Sequence, residues 1–64
     1  PDAELLVDVI DAVRLLSIRQ RAVVYLTYWL GMRAEEVART LDVSPRTVER
    51  ELTSARGRLE VLLR

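Results

Sequence analysis

Residues 34–59 read Ala34-Glu-Glu-Val-Ala-Arg-Thr-Leu-Asp-Val-Ser-Pro-Arg-Thr-Val-Glu-Arg-Glu-Leu-Thr-Ser-Ala-Arg-Gly-Arg-Leu59. The pattern is a short amphipathic helix, a tight turn and a long second helix, the order of a helix-turn-helix that lays its second helix in the major groove of DNA. In the first helix Val37, Ala38 and Leu41 share a face, and Ala38 is small enough for two helices to cross closely there. Asp42 leaves the helix, as a residue that tolerates the left-handed conformation better than most non-glycine residues. Val43 is placed to drop between the helices. Ser44-Pro45 is a helix start, with Ser44 capping free N–H groups and Pro45 in the first helical position. Val48, Leu52, Ala55, Leu59 and Leu62 then recur at spacings of four, three, four and three, a narrow apolar stripe facing a core.

The outward face of the second helix follows from geometry. With about 100° of rotation per residue, Arg46, Arg50, Thr53 and Gly57 fall opposite the stripe and Ser54 beside them, while Glu49 and Glu51 lie on the two flanks. Arg46 and Arg50, four apart, repel mildly, and a phosphate or a guanine edge relieves that repulsion. The expected DNA contacts are Arg50 for base reading, with Ser44, Pro45, Arg46, Thr47, Glu49, Thr53 and Ser54 around it. The helix start at Ser44-Pro45 presents a dipole end that favours a phosphate, and Arg33 and Arg39 are further candidates for phosphate contacts. The bland alternative is an ordinary solvated helix face.

Sixty-four residues leave room for one domain spanning 1–64 and one small core, which buries only about 60% of the unfolded surface. There is no cysteine, hence no disulfide framework or thiolate metal site, and no histidine to act as a general base or neutral metal ligand. The net charge of zero hides an asymmetry: residues 1–13 carry Asp2, Glu4, Asp8 and Asp11 and no base, a net of −4, whereas residues 14–64 carry ten arginines and six acids, a net of +4. The basic part holds the motif. Every base is Arg and none is Lys; Arg reads guanine and phosphate bidentately, but compositional bias is the preferred explanation of the usage. The longest uncharged run, Ala22 to Met32, is well below the ~20 residues that span a bilayer, so no membrane segment is expected. The chain opens on Pro1-Asp2 inside an amphipathic pattern and reads as a piece of a longer protein.

Taken in order, Asp2 to Leu16 forms a first helix with Leu6, Val9 or Ile10, Val13 and Leu16 on its apolar face and acids at its N-terminal dipole end. Ser17 and Gln20 make a capping box for a second helix that runs to Leu30, with Gly31 as its stop. Ile18, Ala22, Val23, Val24, Tyr25, Leu26, Tyr28, Trp29 and Leu30 cover nearly its whole circumference. A helix apolar all round is fully buried or shared with a partner, and a domain this small cannot bury every side. Tyr25, Tyr28, Trp29 and Leu30, with Val61, Leu62 and Leu63 at the other end of the chain, are therefore read as a protein-partner surface; the competing reading lays the first helix across the second and covers it. The third helix runs from about Arg33 or Ala34 to Leu41 and the fourth from Pro45 to about Leu63. The predicted fold class is all-α, four helices with a long C-terminal recognition helix and no strand.

Leu16-Ser-Ile-Arg-Gln-Arg-Ala-Val-Val-Tyr-Leu26, Gly31, Glu36-Val-Ala38, Leu41-Asp-Val-Ser-Pro-Arg-Thr-Val48, Ala55-Arg56 and Leu59, in that order and spacing, give the chain a resemblance to the C-terminal region 4 domain of bacterial sigma factors of the extracytoplasmic-function type. The resemblance covers nearly the whole chain. It implies a cytoplasmic four-helix domain that binds the promoter element upstream of the start site, docks on the flap of the RNA polymerase β subunit, and is open to capture by an anti-sigma factor; it implies no cofactor. The sequence departs from the family pattern where Arg33 replaces a Ser or Thr cap, where Asp42 replaces Gly, and where Glu49 and Glu51 stand on a helix that is often basic or small there. Glu49 is able to accept from a cytosine amino group; Glu51 is expected to pair with a neighbouring Arg.

Two other classes compete. The helix-turn-helix of response-regulator output domains also accommodates Ser-Pro-Arg-Thr-Val, but Ala55-Arg56, Leu59 and the aromatic-rich second helix favour the sigma reading. A pure helical interaction module would leave the arginine face idle. An enzyme is disfavoured, because the carboxylates at Glu35–Glu36 and Glu49–Glu51 have no His, Cys, metal-ligand set or glycine-rich loop around them.

Overall fold

The computed structural model describes the backbone of residues 2–63 and the side chains of residues 8–63. Four helices follow one another: α1, Asp2–Arg14; α2, Ile18–Val24, continued by a π-helical turn at Tyr25–Trp29; α3, Ala34–Leu41; and α4, Pro45–Leu62. No strand occurs among the described residues, so the all-α fold and the helix-turn-helix are both present as expected.

The core is a cluster of small and β-branched side chains. Val23, Val37 and Val48 are fully buried and Ala38 nearly so, with Leu26, Met32, Ala34, Leu41, Val43 and Leu52 packed around them. α4 packs most extensively against α2 and next against α3. Val48 and Ala55 are the buried members of its stripe, while Leu52 and Leu59 are half-buried and Leu62 is exposed. The stripe thus loses its cover toward the C-terminus, where only α1 lies nearby.

Local chemistry explains the helix boundaries. α1 stops at Arg14, two residues before the predicted end; the N–H groups of Leu15 and Leu16 donate to the carbonyls of Ala12 and Val13 at 3.1 Å, a tighter turn than the α-helix. Ala12 and Leu16 are buried and Val13 half-buried, but Val9 and Ile10, either of which was expected on the apolar face, are both exposed. The side chains of Asp2, Glu4 and Leu6 lie outside the described residues. At α2 the capping box is complete: the Gln20 N–H donates to Ser17 Oγ at 3.1 Å and the Ser17 N–H to Gln20 Oε1 at 3.3 Å.

The second helix departs from a regular α-helix after Val24. The Leu30 N–H donates to the Tyr25 carbonyl, five residues back, at 3.2 Å, the π spacing that often marks a functional segment. Helical structure ends at Trp29 rather than Leu30; Gly31 follows at φ +68 and the Met32 N–H closes on the Leu26 carbonyl at 3.0 Å. The π turn directs Leu26 to the core and leaves Tyr25, Tyr28, Trp29 and Leu30 exposed, Trp29 at 77%. Ile18 is 80% exposed. The circumferential apolarity is therefore not burial, and α1 does not cover Trp29.

Asp42 adopts the left-handed conformation at φ 56, ψ 48, and the Val43 N–H returns to the Ala38 carbonyl at 2.9 Å. Arg33 caps α3 without a hydroxyl: Glu36 Oε1 accepts from the Arg33 N–H at 3.3 Å, the backward half of a capping box. Two outcomes follow from this packing. Ala38→Leu is expected to overpack the α3–α4 crossing and cost about 1–3 kcal/mol; an unchanged Tm in a thermal melt would show that the helices do not cross at residue 38. Asp42→Gly is expected to raise stability by up to about 1 kcal/mol by relieving the left-handed backbone; a lower Tm would show instead that the carboxylate holds the turn.

Candidate nucleic-acid interface

The turn from Asp42 to Ser44 sets the start of α4. Ser44 Oγ accepts from the Thr47 N–H at 3.1 Å and lies 3.0 Å from Thr47 Oγ1, and Pro45 takes the first helical position. The first turn of α4 is thus fixed by its own side chains, with Ser44, Pro45 and Arg46 exposed and Thr47 half-buried. Arg46, Glu49, Arg50 and Thr53 are exposed, as the helical geometry requires. Among the described residues the ion pair is Asp11–Arg14 at 3.9 Å; Arg33, Arg39, Arg46 and Arg50 engage none. Their guanidinium groups are therefore available to an external anion.

The hydroxyls differ in what they can still do. Phosphate oxygens accept but do not donate, so a contact needs a free O–H. Thr53 Oγ1 already donates to the Glu49 carbonyl at 3.0 Å. Ser54 Oγ accepts from Gln20 Nε2 at 3.1 Å, which leaves its proton free but turns the oxygen toward α2. Of the Ser44–Thr47 pair, one proton is used between the two hydroxyls.

The structure adds a residue to this face. Arg19, on α2, lines a shallow cleft of about 300 Å³ with Thr47, Arg50 and Glu51 on α4. Two arginines from different helices thus converge beside the first two turns of α4. Periodicity does not reveal this, because no spacing rule links position 19 to position 50. Glu51 is half-buried in the same cleft, yet it closes no ion pair there, contrary to the expected pairing with an Arg. Arg33 and Arg39 are exposed on α3 and do not line that cleft.

The expected partner surface separates into distinct features. Tyr25 and Trp29 stack with ring centroids 6.4 Å apart and planes 14° from parallel, and Arg56 Nη2 donates to Tyr28 Oη at 2.8 Å, tying the π turn to α4. Leu62 and Leu63 instead line a groove of about 540 Å³ against Asp8, Val9, Asp11, Ala12 and Leu15 of α1 and its following turn. Neither the aromatic residues nor Val61, exposed at the end of α4, line that groove. The α1 side of the groove was not anticipated from the sequence, where Val9 was read as a candidate for the apolar face and Leu15 was given no role.

No helix of the described residues is long and apolar enough to cross a membrane. Neither curated proteins nor solved structures yield a match to this chain. The family model for sigma-70, region 4, matches residues 6–59, which takes in the capping box of α2, the π turn, the helix-turn-helix and all but the end of α4. In sigma factors generally, region 4 binds promoter DNA at the −35 element in the service of RNA polymerase. The extent of that match, on a four-helix domain whose second motif helix exposes unneutralised arginines, settles the family: this chain belongs to the sigma-70 family as a region 4 domain.

Proposed function

We propose that this chain is the promoter-reading domain of an alternative sigma factor of the extracytoplasmic-function type, acting in the bacterial cytoplasm, and that Arg50 reads a base in the −35 element. The observation that carries this reading is the convergence of Arg19 and Arg50 with Thr47 in one cleft beside the N-terminal half of α4. Major-groove recognition helices use that half for base edges, and flanking cations from a second element hold the phosphate backbone and set register. Arg19 and Arg46 take phosphates, Ser44 and Pro45 present the helix start, and Arg33 and Arg39 extend the basic surface along α3. The Ser44–Thr47 pair keeps one hydroxyl proton to share, Ser54 is held by Gln20, and Thr53 contributes through its methyl group while its hydroxyl stays on the Glu49 carbonyl. Glu49, exposed and outside any ion pair among the described residues, accepts from a cytosine amino group. The response-regulator alternative rests on Ser44–Val48 alone, whereas the sigma match extends from residue 6 to residue 59.

Selection of bound duplexes from a random pool identifies the recognised element. On that duplex Arg50→Ala is expected to cost about 1–3 kcal/mol and to relax preference at one or two base pairs. An equal loss on specific and scrambled duplexes would show that Arg50 contacts phosphate instead. Absence of any duplex preference in the parent chain would favour a helical interaction module.

The same reading assigns the protein contacts. The groove between α1 and the end of α4, apolar along Val9, Leu15, Leu62 and Leu63 and acidic at Asp8 and Asp11, receives a helix from the β flap of RNA polymerase. An anti-sigma factor competes for it or for the Tyr25–Trp29 ledge. Leu63→Asp is expected to weaken binding of a flap-helix peptide by about tenfold, the size of a modest hot spot, while Trp29→Ala leaves it unchanged. The opposite ranking, read by anisotropy of a labelled peptide, would move flap docking to the aromatic ledge.

A further inference from the structure

Gln20 is a buried polar side chain, 8% exposed, and its amide is used at both ends. Its Oε1 accepts from the Ser17 N–H at 3.3 Å, and its Nε2 donates to Ser54 Oγ at 3.1 Å, thirty-four positions along the chain. The first bond stays inside α2 and needs only a helix start. The second leaves α2 and reaches α4, at the most extensive helix–helix packing in the domain.

The location of that bond matters. Arg19 is the residue before Gln20, and Arg50 lies one helical turn before Ser54. The Gln20–Ser54 bond therefore joins α2 and α4 one residue from Arg19 and one helical turn from Arg50, the two arginines that line the cleft with Thr47 and Glu51. Apolar contacts around Val23 and Val48 hold α2 and α4 together, but they are non-directional and tolerate rotation of one helix on the other. A hydrogen bond between two side chains of fixed reach removes that freedom. Recognition of a duplex through two elements needs their cations held to within about 0.5 Å of the productive spacing.

We propose that Gln20 is a positioning residue for DNA recognition: through Ser54 it fixes the rotation of α2 on α4 and so the spacing of Arg19 from Arg50. This rests on the DNA-binding reading above. It also gives Ser54 a different task from the one its place on the helix face suggests, as the anchor for α2 and not a contact to DNA.

The test is a set of mutant cycles in the 64-residue chain, with binding to the selected duplex measured well below each variant's Tm. Ser54→Ala is expected to weaken binding about fivefold to tenfold, and Ser54→Thr, which keeps a hydroxyl acceptor, to restore most of it. Arg19→Ala is expected to weaken binding about tenfold and to lower the salt slope by about one in the parent, but to have little further effect when Ser54 is already Ala, since coupled residues are non-additive. Gln20→Ala should mimic Ser54→Ala, and the two together should be no worse than either alone. An equal cost of Arg19→Ala with and without Ser54 overturns the proposal. So does a further loss on adding Ser54→Ala to Gln20→Ala, which would place Ser54 on the DNA itself. If the parent chain prefers no duplex at all, the DNA-binding reading fails and the proposal with it; loss of coupling in a chain that still prefers its duplex removes the proposal alone.

Discussion

The close crossing of α3 and α4 on α2 is the constraint on which the rest depends. Val23, Val37 and Val48 meet with no solvent exposure and Ala38 completes the cluster. A small side chain at such a position lets two helix backbones approach closely. The left-handed residue at Asp42 is a consequence of that crossing. It turns the chain within three residues, returns the Val43 N–H to Ala38, and lets Ser44 begin α4 at an angle that exposes Arg46 and Arg50.

With so small a core, polar links carry much of the specification. The Gln20–Ser54 bond and the Arg56–Tyr28 bond tie α2 and its π turn to α4 at two places, and the Ser17–Gln20 capping box holds the start of α2. They bracket the apolar contact and limit rotation as well as separation. On the proposed DNA-binding role, that restriction holds the outer arginines of α4 and the cation of α2 at a set distance. The π turn serves a second end, since it returns Leu26 to the core while moving Tyr25, Tyr28 and Trp29 outward. It buries one side chain per turn where a regular helix would compete to bury more.

The sequence by itself determined the elements and much of the exposed face of α4. Helix periodicity depends only on local spacing, so α3, α4, the stripe through Val48 and Ala55, and the outward placement of Arg46, Arg50 and Glu49 were all legible. So were the caps at Ser17 and Ser44, the left-handed Asp42 and the stop at Gly31, because each is local backbone chemistry within a few residues. Tertiary structure alone decided the rest. The juxtaposition of Arg19 with Arg50, the reach of Gln20 to Ser54, and the pairing of α1 with Leu62 and Leu63 join residues more than thirty positions apart, and no periodicity encodes such contacts. Val9 or Ile10 was expected on the apolar face of α1 and both are exposed, and the exposure of Trp29 was left open in the sequence, because apolarity states which side chains gain from burial and not which neighbour arrives to bury them. The π turn escaped as well: the Leu30 N–H reaches the Tyr25 carbonyl five residues back, a backbone choice that the apolar pattern of the segment does not encode.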